Sequence, residues 1–571
     1  MKYTGARIVI ESLVEQGVDT VFGYPGGAVL HIYDELYRQQ DRIRHVLVSH
    51  EQHAAHAADG YARSSGRVGV CLATSGPGAT NLVTGIATSY IDSVPVVAIT
   101  GNVSTLLLGK DSFQEVDIAG ITMPIVKHNW IVKDVNDLAE VIREAFIVAK
   151  SGRPGPVLVD IPKDITTAAA EWKQSVDCTN AGSFAFDGRP GRLAERGRRK
   201  TFSDADITQA AALITNARRP VLYAGGGVVL SGAVPELKKL AELLNAPVAL
   251  SLMGMGAFPH NHRLCTGLIG MHGTAASNKA VQKSDLLIAI GARFSDRVTS
   301  QVEKFARKAK ILHLDIDPAE INKNIQTDAF VAGNLKTILA RLIQKIPAAA
   351  TDWNTEIDSW KAVIPKDHHR KTNLHPRLVI TQTALALGSK AIAVTDVGQH
   401  QMWTAQFFPF NRPRTFLSSG GMGTMGYGLG AALGAKIANP RRPVVLFTGD
   451  GCFRMNCGEM ATLVYYKLPV LIIIFNNNTL GMVRQWQDFF YGGRYCQTDL
   501  SGRGPDFIKL SDAYGVSAYR ADDSASFLNA LQKSLKILAA GKPAVIEAII
   551  DKDERVLPMV PGGKPIDEQI M

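Results

Sequence analysis

The chain has 571 residues, 46% hydrophobic and 20% charged, with 52 glycines and 26 prolines. At roughly 150 residues per domain, that length points to three or four domains and excludes a lone binding module. The composition is that of a packed globule, which excludes collagen and intrinsic disorder, and the apolar run Val470–Phe475 is far short of the ~20 residues of a membrane span. The formal net charge is +10, and residues 188–200, with five Arg, one Lys and one Glu, supply half of it. No aromatic residue lies between those arginines, so the stretch reads as a solvated linker and no nucleic-acid partner is expected.

Near the N-terminus, Ile8, Ile10, Leu13 and Val14 alternate with Glu11 and Glu15. That spacing predicts an amphipathic helix and lacks the unbroken apolar stretch of a signal peptide. Six cysteines (Cys71, Cys178, Cys265, Cys452, Cys457 and Cys496) form no C-x-x-C pair, which argues against a disulfide scaffold or zinc site and for a cytoplasmic location. Short β-branched runs then alternate with helical patterns, the rhythm of a parallel α/β sheet. The expected organisation is an α/β domain over 1–165, a Gly/Arg-rich linker over 166–200 and a second α/β domain over 201–346. A connector over 347–375, a third α/β domain over 376–555 and a tail over 556–571 complete it. His368-His369 falls in a charged part of the connector and reads as linker.

The first and third domains echo each other. In the first, a strand runs into Thr74-Ser75-Gly76-Pro77-Gly78, then a helix, then Val94–Val97; in the third, Pro443–Phe447 runs into Thr448-Gly449-Asp450-Gly451, then a helix, then Leu468–Leu471. Two similar halves suggest a ligand held between them. The sharpest motif is Gly449-Asp450-Gly451 followed, after residues 452–475, by Asn476-Asn477. In a parallel sheet both pieces fall at strand C-terminal ends, where ligands of open α/β sheets bind. Asp450 and the Asn477 side-chain oxygen are hard ligands suited to magnesium, and the glycines admit backbone N–H groups close to phosphates.

On these residues the chain resembles the thiamine diphosphate-dependent enzymes and, within them, the acetolactate synthase (acetohydroxyacid synthase) branch, over essentially its whole length. The resemblance is carried by Val21–Ala28, Ser49–Arg63, Ala73–Asn81, Ser112–Glu115, Ser151–Asp164, Gly270–Gly273, Gly291–Arg297, Val397–Trp403, Gly423–Gly428 and Gly481–Gln487. It implies three α/β domains that bind the pyrimidine, a flavin and the diphosphate in turn. The activity implied is decarboxylation of pyruvate and transfer of the two-carbon unit to a second 2-keto acid, pyruvate or 2-oxobutanoate. That is the first common step of valine, leucine and isoleucine biosynthesis. An FAD-dependent pyruvate oxidase of the same family is the alternative. The implied cofactors are thiamine diphosphate, Mg2+ and FAD, the last without net redox chemistry. The implied assembly is a homodimer or homotetramer, with a small regulatory subunit as a further partner.

Residue by residue, the resemblance makes Glu51 the acid that drives the cofactor's aminopyrimidine to act as a base. Met425 becomes the apolar wedge that bends the cofactor. Gly27, Pro77, Asn81, Val397, Gly398, Gln399, His400, Gly423, Gly449 and Gly451 line the same cofactor, with Asp450, Asn477 and the Thr479 carbonyl on the metal. The flavin set is Arg153, Gly225-Gly226-Gly227, Leu252, Met271, His272, Gly291, Arg293, Asp296, Arg297, Asp315 and Ile316. The chain departs from the family at Ser295 and Asn334, where acidic residues are usual. Gln114, Phe113, Lys163, Met482 and Val483 match positions around the substrate. Arg297 would hold the acceptor carboxylate bidentately, and Trp486 would shape a pocket favouring 2-oxobutanoate by about 1–3 kcal/mol.

Overall fold

The computed structural model describes residues 1–174, 202–348, 353–362 and 374–571. The basic stretch 188–200, Cys178 and His368-His369 lie outside the described residues. Among the described residues, three six-stranded, wholly parallel sheets follow one another along the chain, each flanked by helices, together with a two-stranded antiparallel ribbon of Lys2–Thr4 and Ala169–Glu171. The amphipathic pattern at the start of the chain forms the helix Gly5–Glu15, capped by the Thr4 side chain on the Arg7 N–H.

The first sheet runs in the order Arg44–Leu47, Thr20–Gly23, Gly69–Ala73, Val96–Asn102, Val157–Pro162 and Asn129–Ile131. The third runs Phe416–Leu417, Ile392–Thr395, Val444–Gly449, Val470–Asn476, Ala544–Ile549 and Ser517–Ala521. Numbered within each domain, both have the order 2-1-3-4-6-5, so the echo in the sequence is an echo in topology. The central sheet runs Cys265–Leu268, Val248–Leu250, Pro220–Ala224, Leu286–Ile290, Lys310–Asp315 and Ala329–Ala332. Its order, 3-2-1-4-5-6, is that of dinucleotide-binding sheets, with the strand order reversing between Pro220–Ala224 and Leu286–Ile290.

The first and third domains share one apolar core, in which Phe22, Val46 and Ile86 pack with Leu429, Leu446 and Ile472. At its centre the helix Glu51–Ser65 crosses the helix Gly428–Ala438 at backbone distance. A Cβ on Gly60 would lie 2.2 Å from the Ala431 carbonyl oxygen, and one on Gly434 would lie 1.9 Å from that of Ala57. The Ala-rich helix and its glycine-bearing partner are therefore a packing requirement as well as a local propensity.

Part of the stretch read as a connector is built into the central domain. Asn354–Lys361 is a helix, and Trp353, Ile357 and Trp360 are buried against Leu287, Ala280 and Val281. Their i, i+4, i+7 spacing is that of a helix face, a signal diluted by the charged residues between them. The last residues also fold back: Val560 N–H donates to the Met271 carbonyl and the Gln569 amide to that of Gly273. Among the described residues no helix is long and apolar enough to cross a membrane.

Candidate active site

In the third sheet Gly449 pairs in register with Phe475. Asp450 and Asn477 thus leave neighbouring strands at the same sheet edge, one opening the helix Asp450–Asn456 and the other a turn. A cleft lies there, lined by Val397, Gly398, Gln399, His400, Met425, Gly449, Asp450, Gly451, Asn477, Thr479, Met482 and Val483. The sequence motifs thus converge on one cavity although up to 86 positions separate them. Gly423 stands beside it, where a Cβ would come within 4.0 Å of Val397. Trp403, Cys452, Phe475, Leu480, Gly481 and Ile550 complete the wall, and their roles were not foreseen. Gly481 carries a usable signal: a Cβ there would sit 2.0 Å from Gln399 Oε1.

Among the described residues Asp450 is the only carboxylate lining this cleft. It is buried, and burial lifts its carboxyl to about 7 against the backbone N–H groups that lower it. A divalent cation would reverse that penalty. Asn477 Oδ1 accepts the Thr479 N–H at 3.2 Å while its amide donates to Gln399 at 3.3 Å, so its side-chain oxygen is held at the same edge. Among the described residues no group of three or more His, Cys, Asp or Glu could hold a metal; a cation here needs amide and carbonyl oxygens beside the single acid, which is the hard-oxygen set magnesium takes. His400 supplies the matching observation for an anion. Its Nε2 is buried without a hydrogen-bond partner among the described residues, and burial lowers the imidazole to about 3. A neutral ring with an unmatched polar atom suits a phosphate oxygen.

A second group gathers on the first domain. Glu51 is the first residue of its helix, after His50, whose ring accepts the Gln52 N–H. Glu51 Oε2 accepts a hydrogen bond from Asn81 Nδ2 at 3.0 Å. Gly78 leaves the space for this carboxylate, since a Cβ would lie 3.2 Å from Oε1. Pro77 opens the short helix that carries Asn81. Gln114, at φ 58°, packs beneath Gly76, and Gly27 is exposed, with none of the described residues within 4 Å of a Cβ. Phe113 is 89% exposed and Lys163 is also at the surface. None of these residues lines the cleft that holds Asp450. The residues expected around one cofactor are thus divided in this chain between the cleft and a group on the first domain.

Part of the set expected for a flavin lies along one edge of the central sheet. Ala224, Ile290 and Leu314 are in register, so Gly225, Gly291 and Asp315 form the next row across the point where strand order reverses, where such sheets bind ligands. Two of the three glycines also serve packing: a Cβ on Gly225 would lie 2.2 Å from the Gly291 oxygen, and one on Gly227 would lie 2.7 Å from Gly291 Cα. Leu252 opens a tight turn after Val248–Leu250. Burial lifts Asp315 to about 6 and lowers His272 to about 4. Met271 and Ile316 adjoin these two residues. Arg153 reaches from the first domain to Glu320 at 2.7 Å, and its Nε donates to Ser93 Oγ at 2.7 Å. A Cβ on Gly421 would lie 3.3 Å from Arg293 Nη2. Asn334 has a local task, accepting the Thr337 N–H as the cap of Leu335–Lys345.

Asp296 and Arg297 are 78% and 64% exposed at their side chains. The Arg297 guanidinium stands 5.9 Å from the ring centre of Trp486, which is itself edge-on to Phe490 at 5.5 Å. A cation and an apolar ring from different domains are thereby brought together beside the helix Gly481–Phe490.

Three family descriptions match in order: "Thiamine pyrophosphate enzyme, N-terminal TPP binding domain" over residues 3–121, "central domain" over 207–342 and "C-terminal TPP binding domain" over 396–548. The acetolactate synthase large subunit of Corynebacterium glutamicum is 48% identical, covering 98% of this chain and 89% of that protein. The chain belongs to the acetolactate synthase large-subunit family of thiamine diphosphate enzymes. The acetolactate synthase of Mycobacterium bovis is 47% identical over 99% of this chain and 91% of its own length. A probable acetolactate synthase large subunit of Methanococcus aeolicus is 44% identical, over 98% and 94%. Family membership accounts for both the paired topology of the outer domains and the convergence of the G-D-G and N-N segments.

Proposed function

We propose that the chain is the catalytic subunit of a cytoplasmic acetolactate synthase that converts two pyruvates into 2-acetolactate and carbon dioxide, or pyruvate and 2-oxobutanoate into the homologous product. The observation that carries this reading is the cleft in which Asp450, Asn477, His400 and Met425 converge in a chain of this family. Thiamine diphosphate, when bound, supplies the electron sink for decarboxylation. Asp450, Asn477 and the Thr479 carbonyl would hold magnesium, with His400 and Gln399 toward the diphosphate and Met425 against the cofactor's bend. Glu51 would exchange a proton with the aminopyrimidine ring nitrogen, its orientation kept by the Asn81 amide. Arg297 would hold the acceptor carboxylate, and Trp486 would exclude water from the acceptor's alkyl group.

Because Glu51 and Asp450 belong to separate half-sites, the complete site takes the first domain of one copy and the third of another, and a homodimer is the smallest working unit. The central sheet would bind FAD along the row of Gly225, Gly291 and Asp315. The test measures acetolactate, pyruvate and oxygen together in protein supplied with thiamine diphosphate, magnesium and FAD. Acetolactate formed at half the pyruvate consumed, with little oxygen used, is the expected result. Oxygen consumed in step with pyruvate, with no acetolactate, would instead make the chain an oxidase. For acceptor choice, Trp486→Leu should reduce the preference for 2-oxobutanoate over pyruvate by about 10- to 100-fold, read as the product ratio when both acceptors compete.

A further inference from the structure

Glu459 lies outside every motif, yet it is fully buried and its carboxylate reaches across the boundary between the third and first domains. Its two oxygens lie 3.3 and 3.1 Å from the Ser49 backbone nitrogen, which donates to them, and Oε2 is 2.6 Å from Nδ1 of His53. Ser49 stands two residues before Glu51 and His53 two after it. One carboxylate therefore grips the strand-to-helix turn on both sides of Glu51. The grip is reinforced by the Ser49 hydroxyl, which donates to the Gly458 carbonyl at 3.1 Å, and by the Leu47 N–H, which donates to the Tyr466 hydroxyl at 2.8 Å.

A buried carboxylate is a costly way to fill space, since an apolar residue would pack as well without desolvation. Its oxygens satisfy a backbone N–H at the point where the helix begins, where backbone donors lack intrahelical partners. Burial alone would lower His53, but Glu459, aided by Asn456 and Asp396, outweighs it and holds the imidazole above its ordinary value. The segment bearing Glu459 follows directly on the helix that begins at Asp450. One short stretch of the third domain thus ends in a metal-ligand candidate on one side and the grip on Glu51 on the other.

We propose that Glu459 is a positioning residue, whose carboxylate, with His53, sets the first turn of the helix Glu51–Ser65 and so the place of the Glu51 carboxyl. The proposal rests on the reading of Glu51 as the acid beside the cofactor. A displacement of about 1 Å in such a group costs up to 10²-fold in rate. The test is the rate at which the C2 proton of bound thiamine diphosphate exchanges with deuterium in the absence of pyruvate, measured with kcat, KM and cofactor affinity. Glu459→Ala should slow exchange and kcat by about 10- to 100-fold while changing KM and cofactor affinity little. Glu459→Gln, which keeps an oxygen for the Ser49 N–H, should recover most of the exchange rate. Should the alanine variant fail to fold, His53→Asn removes the grip from the other side and carries the same expectation. A folded Glu459→Ala or His53→Asn protein that exchanges at the wild-type rate overturns the proposal. The same assay on Glu51→Gln separates the two ideas: unchanged exchange there would overturn the role of Glu51 itself, whereas lost exchange there with wild-type exchange in the Glu459 variants overturns only the positioning role.

Discussion

Glu51→Gln is expected to lower the rate of acetolactate formation by about 10²- to 10⁴-fold, the range that a positioned proton-transfer group contributes, while leaving the binding of thiamine diphosphate nearly intact. The substitution preserves size, and Asn81 Nδ2, which now donates to Glu51 Oε2 at 3.0 Å, can donate equally to the amide oxygen of glutamine. What is lost is a group that can carry and release a proton. Glutamine can hydrogen-bond the pyrimidine ring but cannot protonate it. The expected signature is therefore a collapse in kcat with KM and cofactor affinity changed by less than a few fold, measured by acetolactate assay and cofactor titration. A parallel loss of cofactor binding would make Glu51 a binding group, and an unaltered kcat would remove it from the chemistry.

The parts of this arrangement that were legible in the sequence are those encoded locally. Most of the strand Val470–Asn476 was visible as the unbroken apolar run Val470–Phe475, as a strand buried on both faces must be. The G-D-G and N-N pieces were visible because sheet-edge turns constrain residue type at each position. The three glycines 225–227 were read as part of the flavin set, but two of them are also required by the close approach of Gly291. Sequence alone cannot separate those demands, because both ask for the absence of a Cβ. The grip of Glu459 on Ser49 spans 410 positions, and nothing local marks that glutamate apart from an ordinary helix-end acid. Likewise the helix Asn354–Lys361 hid its apolar face in a charged stretch. Long-range partnership was the missing information in both cases.

Arg63→Met should destabilise the protein by about 3–5 kcal/mol, the usual result of removing one partner from a buried ion network. The Arg63 side chain is only 7% exposed; its Nε donates to Asp59 Oδ1 at 2.6 Å and its Nη2 to Asp92 Oδ2 at 3.0 Å. Asp59 further accepts from the hydroxyls of Tyr427 and Ser89, and Asp92 accepts the N–H groups of Gly420 and Gly421. Two carboxylates with no solvent access would thus remain facing one another around an uncharged side chain. The cost arises from the stranded charges more than from the lost contacts, and this gives the prediction its second arm. Arg63→Met combined with Asp59→Asn and Asp92→Asn should be more stable than Arg63→Met alone, a non-additivity that contacting residues permit, with denaturant midpoints as the measure. If the triple variant is instead the least stable, hydrogen bonding and not charge holds this junction together. Because Gly420 and Gly421 lead into the loop that carries Gly423 and Met425, Arg63→Met should also weaken thiamine diphosphate binding. The helix that presents Glu51 at its first turn would then, through Arg63 near its last, hold in place the loop that shapes the other half-site.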